Sequence, residues 1–320
     1  MSRAWRTTAR AGGGILAAGV AGVAYASLIE RNWFALRRFT VPALPAGARP
    51  IQILQVSDLH VVPGQRRKIE WVRGLAALEP DFVINSGDNL SHLEGVPSAL
   101  AAMGPLMEFP GAFVLGSNDY YAPTPKNPAV YLTSRYAQGS TARATLPTGE
   151  LVDGMRAGGW LDLTNAAALV PWGELTVDLR GVDDPHIARD DYAAVAGPTD
   201  ARADLHVGLL HAPYQRVLDA MVSDGAELLI AGHTHGGQLA IPGYGALVTN
   251  CDLDTSRAKG MSRWWSGAGL APGRAEPSAA APASAAYLHV SAGLGTSRFA
   301  PVRFACRPEA TLLTLVPGSA

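Results

Sequence analysis

Short apolar runs alternate with helix-spaced stretches through most of the chain. Ile51 to Val56 is the first such run and reads as a strand buried on both faces. From Lys68 to Leu78 the spacing turns helical, with Trp71, Val72, Leu75 and Leu78 on one side. A strand at Phe82 to Asn85, a helical stretch from about Pro97 to Met107 and a strand at Ala112 to Leu115 complete a βαβαβ opening, which predicts a layered α/β domain. Strands are also expected at Ala168 to Val170, Leu175 to Leu179, Leu205 to Leu210 and Glu227 to Ala231. A helix is expected from about Pro213 to Ser223, then turn-rich β structure to Val248. Tyr287 to Val290, Val302 to Ala305 and Thr311 to Leu315 read as closing strands. Periodicity is weak from Tyr120 to about Gly159, read as an excursion over the active face. Residues 267–286, mostly Ala, Pro, Gly and Ser, read as a flexible surface loop.

The N-terminus follows another pattern. Ala11 to Ile29 carries no charged side chain and follows Arg3, Arg6 and Arg10. As a helix it would span about 28 Å, close to a bilayer's hydrocarbon core. Trp5 lies before it and Trp33 with Phe34 after it, where interfacial aromatics sit. The expected organisation is therefore a membrane anchor or signal segment over 1–30, a proline-containing linker over 31–48 and one catalytic domain over 49–320. The preferred reading is a single-span N-terminal helix in the cell membrane. Ala24-Tyr25-Ala26 leaves a cleaved signal open, and balanced flanking arginines leave the side of the membrane undetermined, extracytoplasmic included.

Composition narrows the functional classes. A formal net charge of -1 gives no electrostatic reason to expect nucleic acid. Cys251 and Cys306 are too few for a disulfide scaffold or a thiolate zinc site, while one disulfide or two buried thiols both stay open. Arg66-Arg67-Lys68 reads as a solvated basic face, and Trp264 as core packing.

Chemistry gathers at the ends of the apolar runs. Asp58-Leu59-His60 follows the first, Gly87-Asp88-Asn89 the second and Gly116-Ser117-Asn118-Asp119 the third. His211 ends Leu205 to Leu210, and Gly232-His233-Thr234-His235-Gly236-Gly237 follows Glu227 to Ala231. Ligands of open α/β sheets bind beyond the carboxyl ends of strands, so these clusters are expected to converge. Imidazoles, carboxylates and a carboxamide suit Mn, Fe, Zn, Ni or Co, and one carboxylate can bridge two ions about 3.5–4 Å apart.

In order and rough spacing these motifs resemble the calcineurin-like metallophosphoesterases, over about Ile51 to Leu315. Gly232 to Gln238, Gly181-Val182-Asp183-Asp184 and Gly293 to Ser297 resemble one bacterial branch of membrane-associated phosphodiesterases, related to UDP-2,3-diacylglucosamine hydrolases. The resemblance implies a four-layer α/β/β/α sandwich and two divalent ions, manganese first. Asp58, His60 and His235 would hold one ion, His211 and His233 the other, and Asp88 would bridge them. A bridging hydroxide would attack phosphorus.

The third motif departs from the family's pattern, in which an Asn binds metal and the next residue, His, assists the leaving group. Ser117 and Asn118 stand there instead. Asn118 is the preferred ligand of the two. Asn118, Asp119 and Asp88 are the expected catalytic residues, and His186 or His92 could replace the absent imidazole. Asn cannot supply a proton, which favours a substrate with a good leaving group, such as a pyrophosphate link. The expected function is hydrolysis of a phosphodiester or pyrophosphate in a small-molecule, lipid-linked or nucleotide-linked substrate at the membrane. No protein partner is indicated. The alternatives are a membrane-tethered metal-binding sensor or scaffold with little turnover and, with less support, a protein phosphatase.

Overall fold

The computed structural model describes residues 17–125, 143–270 and 281–318. Along the chain come β1 (Ala35–Leu44), β2 (Ile51–Val56), helix α1 (Arg66–Gly74), β3 (Phe82–Asn85), helix α2 (Val96–Met103) and β4 (Gly111–Phe113). Helix α3 (Thr148–Ala157), β5 (Leu161–Asp162), β6 (Ala166–Trp172), β7 (Leu175–Gly181), β8 (Leu205–Leu209), helix α4 (Gln215–Ser223) and β9 (Leu228–Ala231) follow. The small hairpin β10 (Ala240–Ile241) and β11 (Gly245–Ala246) precedes β12 (Gly260–Trp264), β13 (Ala286–Val290) and β14 (Glu309–Pro317). One six-stranded sheet has the order β1-β14-β2-β3-β4-β5 and the other β12-β13-β9-β8-β7-β6.

The cores show how these elements stack. One cluster joins Ile53, Phe82, Ile84 and Leu313 of the first sheet to Val177, Val207 and Ile230 of the second, so the sheets pack face to face. On the first sheet's outer face, Leu54 and Val83 meet Val72, Ala99 and Leu151 of α1, α2 and α3. On the second's, Leu229 and Leu288 meet Val217, Leu218 and Met221 of α4. Strands buried on both faces must be apolar throughout, which is why the sequence shows them as continuous runs.

A polar clasp crosses the sheet interface. Gln55 on β2 donates to Ser86 Oγ and to the Ala231 carbonyl, each at 2.9 Å. Its Oε1 lies 2.6 Å from Nδ1 of His289 on β13. Since Oε1 can only accept, the His289 ring carries a hydrogen on Nδ1.

Four expectations are corrected. Among the described residues no helix is long and apolar enough to cross a membrane, which overturns the expected anchor. Residues before 17 lie outside the described set, and the helix from 17 to 24 ends in a π turn, Tyr25–Ile29, and a 3-10 turn, Glu30–Asn32. That end docks on the protein: Arg303 N donates to the Ala26 carbonyl at 3.1 Å, and Cys306 N to buried Glu30 at 2.6 Å. The aromatics expected at a membrane interface pack on protein too, Phe34 against Trp71 and Trp33 beneath the Arg307 guanidinium.

The stretch expected to be a linker contains β1, a ten-residue strand paired in parallel with β14. Its exposed Arg38 and Thr40 and its Pro42 suit an edge strand and hide the alternation. Val302 to Ala305 forms only a bridge between Phe304 and Leu239. Lys68 is buried rather than solvated, its Nζ donating to the Leu59 carbonyl at 2.6 Å. As expected, Trp264 is buried in the core; of the two alternatives left open for the cysteines, free thiols are found, Cys306 buried and Cys251 partly so. The expected 267–286 loop lies partly outside the described residues.

Burial pushes His289 down to about 3, so it stays neutral in the fold and protonates only on unfolding. Between the ordinary imidazole value near 6.5 and about 3 the unfolded chain therefore binds the extra proton, and stability falls as pH falls. In His289→Gln, urea melts from pH 7 to pH 4 will show a shallower loss than wild type, by up to about 1.4 kcal/mol per pH unit. Equal slopes would mean His289 does not stay neutral in the fold.

Candidate metal centre

The parallel strands β2, β3 and β4 of one sheet and β7, β8 and β9 of the other end at the same edge of the sandwich, and each delivers a polar loop there. The loops are laced together across the sheets. Asp58 N donates to the Gly87 carbonyl at 2.9 Å, His60 N to that of Asp88 at 3.0 Å and Gly232 N to that of His211 at 2.9 Å. His233 N donates to both oxygens of Asp58, at 3.2 and 3.1 Å.

Two glycines permit the approach. A Cβ on Gly116 would collide with Asp88 and His211, and one on Gly232 with Ser57 and Asp58. Backbone strain collects here as well. Of eleven non-glycine residues at positive φ among those described, five are Asp58, His60, Asp88, His233 and His235. Such conformations cost energy and persist where the surroundings hold them, commonly at functional sites.

The side chains form two groups sharing one residue. Asp58, His60 and His235 bring donor atoms within 4.8 Å of one another, and so do Asp58, Asp88 and His211. Nε2 of His60 and of His235 are 3.1 Å apart, aimed at a common point. Asp88 Oδ2 lies 3.4 Å from His60 Nε2 and 3.5 Å from His211 Nε2, between the two groups. His233 falls outside both, its ring edge-on to His211 at 5.2 Å and 4.6 Å from His186.

Outer contacts fix which ring nitrogens face inward. Nδ1 of His211 meets the Ser86 carbonyl at 2.7 Å, and Nδ1 of His235 the Gly295 carbonyl at 3.2 Å. Nε2 of His233 meets the Asn250 carbonyl at 3.1 Å. Carbonyls only accept, so these nitrogens carry hydrogen and the opposite nitrogens are the ones left to face a metal, the usual arrangement of metal-binding histidines. His211 Nε2 is buried without a hydrogen-bond partner.

Electrostatics point the same way. Burial pushes Asp58 up to about 6, against the pull of His211. Burial also lifts Asp119 and Asp184 to about 7, with Asp88 adding to each. Burial would raise Asp88 too, but His211 and His60 hold it well below the ordinary range. Burial pushes His60 down to about 4 and His233 and His235 well below their usual value. His211 is held well above its own, burial being outweighed by Asp88, Asp184 and Asp58. Four buried carboxylates thus face one cationic imidazole, a deficit of positive charge that divalent cations would fill. The residues present fit a two-ion centre.

The third motif sits on one helical turn, Ser117–Tyr120. Asn118 reaches Asp88 twice, from its backbone N and its Nδ2, each at 2.7 Å. Its Oδ1 faces Arg143, so a metal-facing oxygen requires the carboxamide to turn over. Asp119 points away from the cavity. Its carboxylate accepts from the backbone N–H of Asp88, Asn89 and Gly116 at 2.8, 2.7 and 3.0 Å, binding the second motif to the third. This suits a positioning residue rather than the catalytic one expected.

A cavity of about 520 Å³ opens over the site. Its lining includes His60, Asp88, Asn118, His186, His233 and His235 together with the apolar Leu239, Leu247, Val248, Phe299, Pro301 and Val302. His186 is placed to meet a substrate, with Nδ1 3.1 Å from the Tyr214 hydroxyl. His92 is not: it lies outside the lining and accepts from Glu94 N in its own turn. Sequence reasoning missed Arg143 on the lining and Arg303 beneath it. Fully buried Arg303 donates to the carbonyls of Ala292, Gly293 and Gly295, the last also facing His235. Neither lies in a motif, and no periodic signal marks them.

Fold and donor set together define a metal-binding α/β hydrolase. Residues 51–237 match the family model of the calcineurin-like phosphoesterases, more than half of the chain, and the chain belongs to that family. It is 24% identical to the uncharacterized metallophosphoesterase YkuE of Bacillus subtilis (strain 168), over 94% of each chain. To phosphodiesterase YaeI of Escherichia coli (strain K12) it is 25% identical, over 92% of this chain and 93% of that one. The solved structure of TT1561 of Thermus thermophilus matches over 77% of this chain and 91% of its own at 11% identity, with a TM-score of 0.38. The protein is a metal-dependent phosphoesterase.

Asp119→Asn replaces two acceptor oxygens, which take three buried backbone N–H groups, by a carboxamide with a single oxygen. It is expected to cost about 2–4 kcal/mol of stability and to lower bound metal per chain, read by thermal melts and elemental analysis. An unchanged melt would remove Asp119 from its proposed positioning role.

Proposed function

We propose that the protein hydrolyses a phosphodiester or pyrophosphate link in an amphiphilic or nucleotide-linked substrate, using two divalent ions. The observation that carries this reading is the pair of ligand groups sharing Asp58, with Asp88 between His60 and His211, on a cavity whose lining also carries Leu239, Leu247, Phe299 and Val302. Asp58, His60 and His235 would hold one ion and His211 and His233 the other, with Asp88 between them and Asn118 adjoining. Manganese is the first choice, and Fe, Zn, Ni and Co suit the same donors. When bound, the ions supply hydroxide at neutral pH and neutralise charge on phosphoryl oxygens.

The chain's own residues do the rest. Backbone lacing among the motif loops keeps the donors in place before substrate arrives. Leu239, Phe299 and Val302 offer a dry surface to an apolar substituent beside the phosphorus. A monoester has no second substituent to cover that surface, which favours a diester, lipid-linked substrates included. The E. coli relative, named a phosphodiesterase, supports the same class.

Asn118 supports a second reading, a metal-binding domain with little turnover, because it stands where an imidazole would protonate the leaving group. One experiment separates the two. Full-length protein is stripped of metal, reloaded with manganese and assayed on bis-p-nitrophenyl phosphate and p-nitrophenyl phosphate, with metal counted per chain. The diester should be cleaved faster, only after reloading, and Asp88→Ala should lower the rate by roughly three orders of magnitude. Two bound ions without turnover would favour the binding domain; no bound ion would sink the ligand assignment.

A further inference from the structure

Arg143 stands on the lining of the same cavity, beside the residue that replaces the expected imidazole. Its Nε donates to the Ala122 carbonyl at 3.2 Å and its Nη2 to that of Tyr121 at 3.3 Å. The guanidinium lies over the Tyr121 ring, 5.5 Å from its centroid. Nη2 is also 3.5 Å from Asn118 Oδ1, and Asn118 touches both oxygens of Asp88. A permanent cation is thus held by two carbonyls and a ring, and it abuts the third motif on a lining that, among the described residues, carries no other arginine or lysine.

A guanidinium does not give up its proton at any working pH, so Arg143 cannot be a general acid. It can do something an imidazole acid makes unnecessary, which is to hold a leaving group that departs as an anion. We propose that Arg143 is a catalytic residue that binds the departing oxyanion, replacing protonation by charge neutralisation. This rests on the phosphodiester and pyrophosphate reading above and deepens it.

In the step, hydroxide oxygen forms a bond to phosphorus and the bond from phosphorus to the leaving oxygen breaks. The electron pair stays on that oxygen. For a pyrophosphate diester, two negative charges plus one on hydroxide give a phosphomonoester monoanion and a phosphomonoester dianion. Three negative charges stand on each side, and no proton has moved to the leaving group. The dianion is the species a fork of N–H donors fits best. An alkoxide, far more basic, gains too little from charge neutralisation to leave in this way.

The test uses full-length, manganese-loaded protein and the variants Arg143→Gln and Arg143→Lys. The substrates are a nucleoside diphosphate sugar, bis-p-nitrophenyl phosphate and a series of aryl diesters of graded phenol acidity. Removing one preorganised charge-stabilising donor costs about 10²–10³ in rate. Arg143→Gln should therefore lose roughly 10²-fold in kcat/KM on the nucleoside diphosphate sugar but about tenfold or less on bis-p-nitrophenyl phosphate. Its rate should depend more steeply on phenol acidity, and Arg143→Lys should recover part of the loss. Melting temperature and bound metal should match wild type.

An equal loss on every substrate with unchanged steepness would make Arg143 a brace for the Tyr121 loop and overturn the proposal, as would no loss at all. Wild type that binds two ions yet cleaves none of these esters would overturn the phosphoesterase reading of the site and this proposal with it.

Discussion

Buried negative charge is the constraint on which the rest of the structure depends. Asp58, Asp88, Asp119 and Asp184 are almost fully buried at one edge of the sandwich, around a single imidazole held in its charged form. Charges of one sign in such a place are expensive unless cations or hydrogen bonds offset them. Hydrogen bonds answer for Asp119, which takes three backbone donors. Asp58 and Asp88 are only partly answered, and His211 Nε2, 3.5 Å from Asp88 Oδ2, makes no hydrogen bond among them. The framework is built around positive charge that its own side chains do not provide, as a resident metal centre requires.

That requirement explains features otherwise costly. Five donor residues hold left-handed backbone, and two glycines let loops from different sheets come into contact. The strain is tolerated because the sheets beneath are fixed to each other, by the apolar core and by Gln55, which bonds to Ser86, Ala231 and His289 together. Arg303 does the same on the far side, filling the carbonyls of the loop against which His235 is oriented. The N-terminal turn closes over this region through Ala26 and Glu30, so even the chain's start helps to hold the site.

The sequence shows this site more clearly than it shows the scaffold, for a physical reason. Donors such as Asp58, His60 and His235 must be particular residue types at strand ends, and doubly buried strands must be apolar, so both signals are local. The structure brings Asp58, His60, Asp88, His211 and His235 together, with His233 beside them. Features set by tertiary context were not legible. Strand β1 needs β14 beside it, nearly the whole chain away, and its arginines and Pro42 read as a linker. The run ending at Ile29 is apolar on paper, yet its described part folds back on Arg303, a partner that no local pattern announces. Helix α3 has only Leu151 and Met155 fully buried, too weak a stripe to see within an irregular stretch. Arg143 lies in the same stretch and matters only because the chain returns to Asn118.

The third motif shows how a single residue change redistributes chemistry. With an imidazole at position 118 the site could protonate its leaving group and would have little use for a nearby permanent cation, which would lower that imidazole's proton affinity. With Asn118 there is no acid to disturb, and a guanidinium beside it becomes compatible with catalysis. The absent acid and the present cation are then two sides of one arrangement. On the proposed reading the same logic bears on the substrate: a corner that neutralises charge in place of protonation would suit leaving groups that are already stable anions. On that reading the apolar part of the lining would bear on what is attached to the phosphorus, and the Asn118–Arg143 corner on what leaves it.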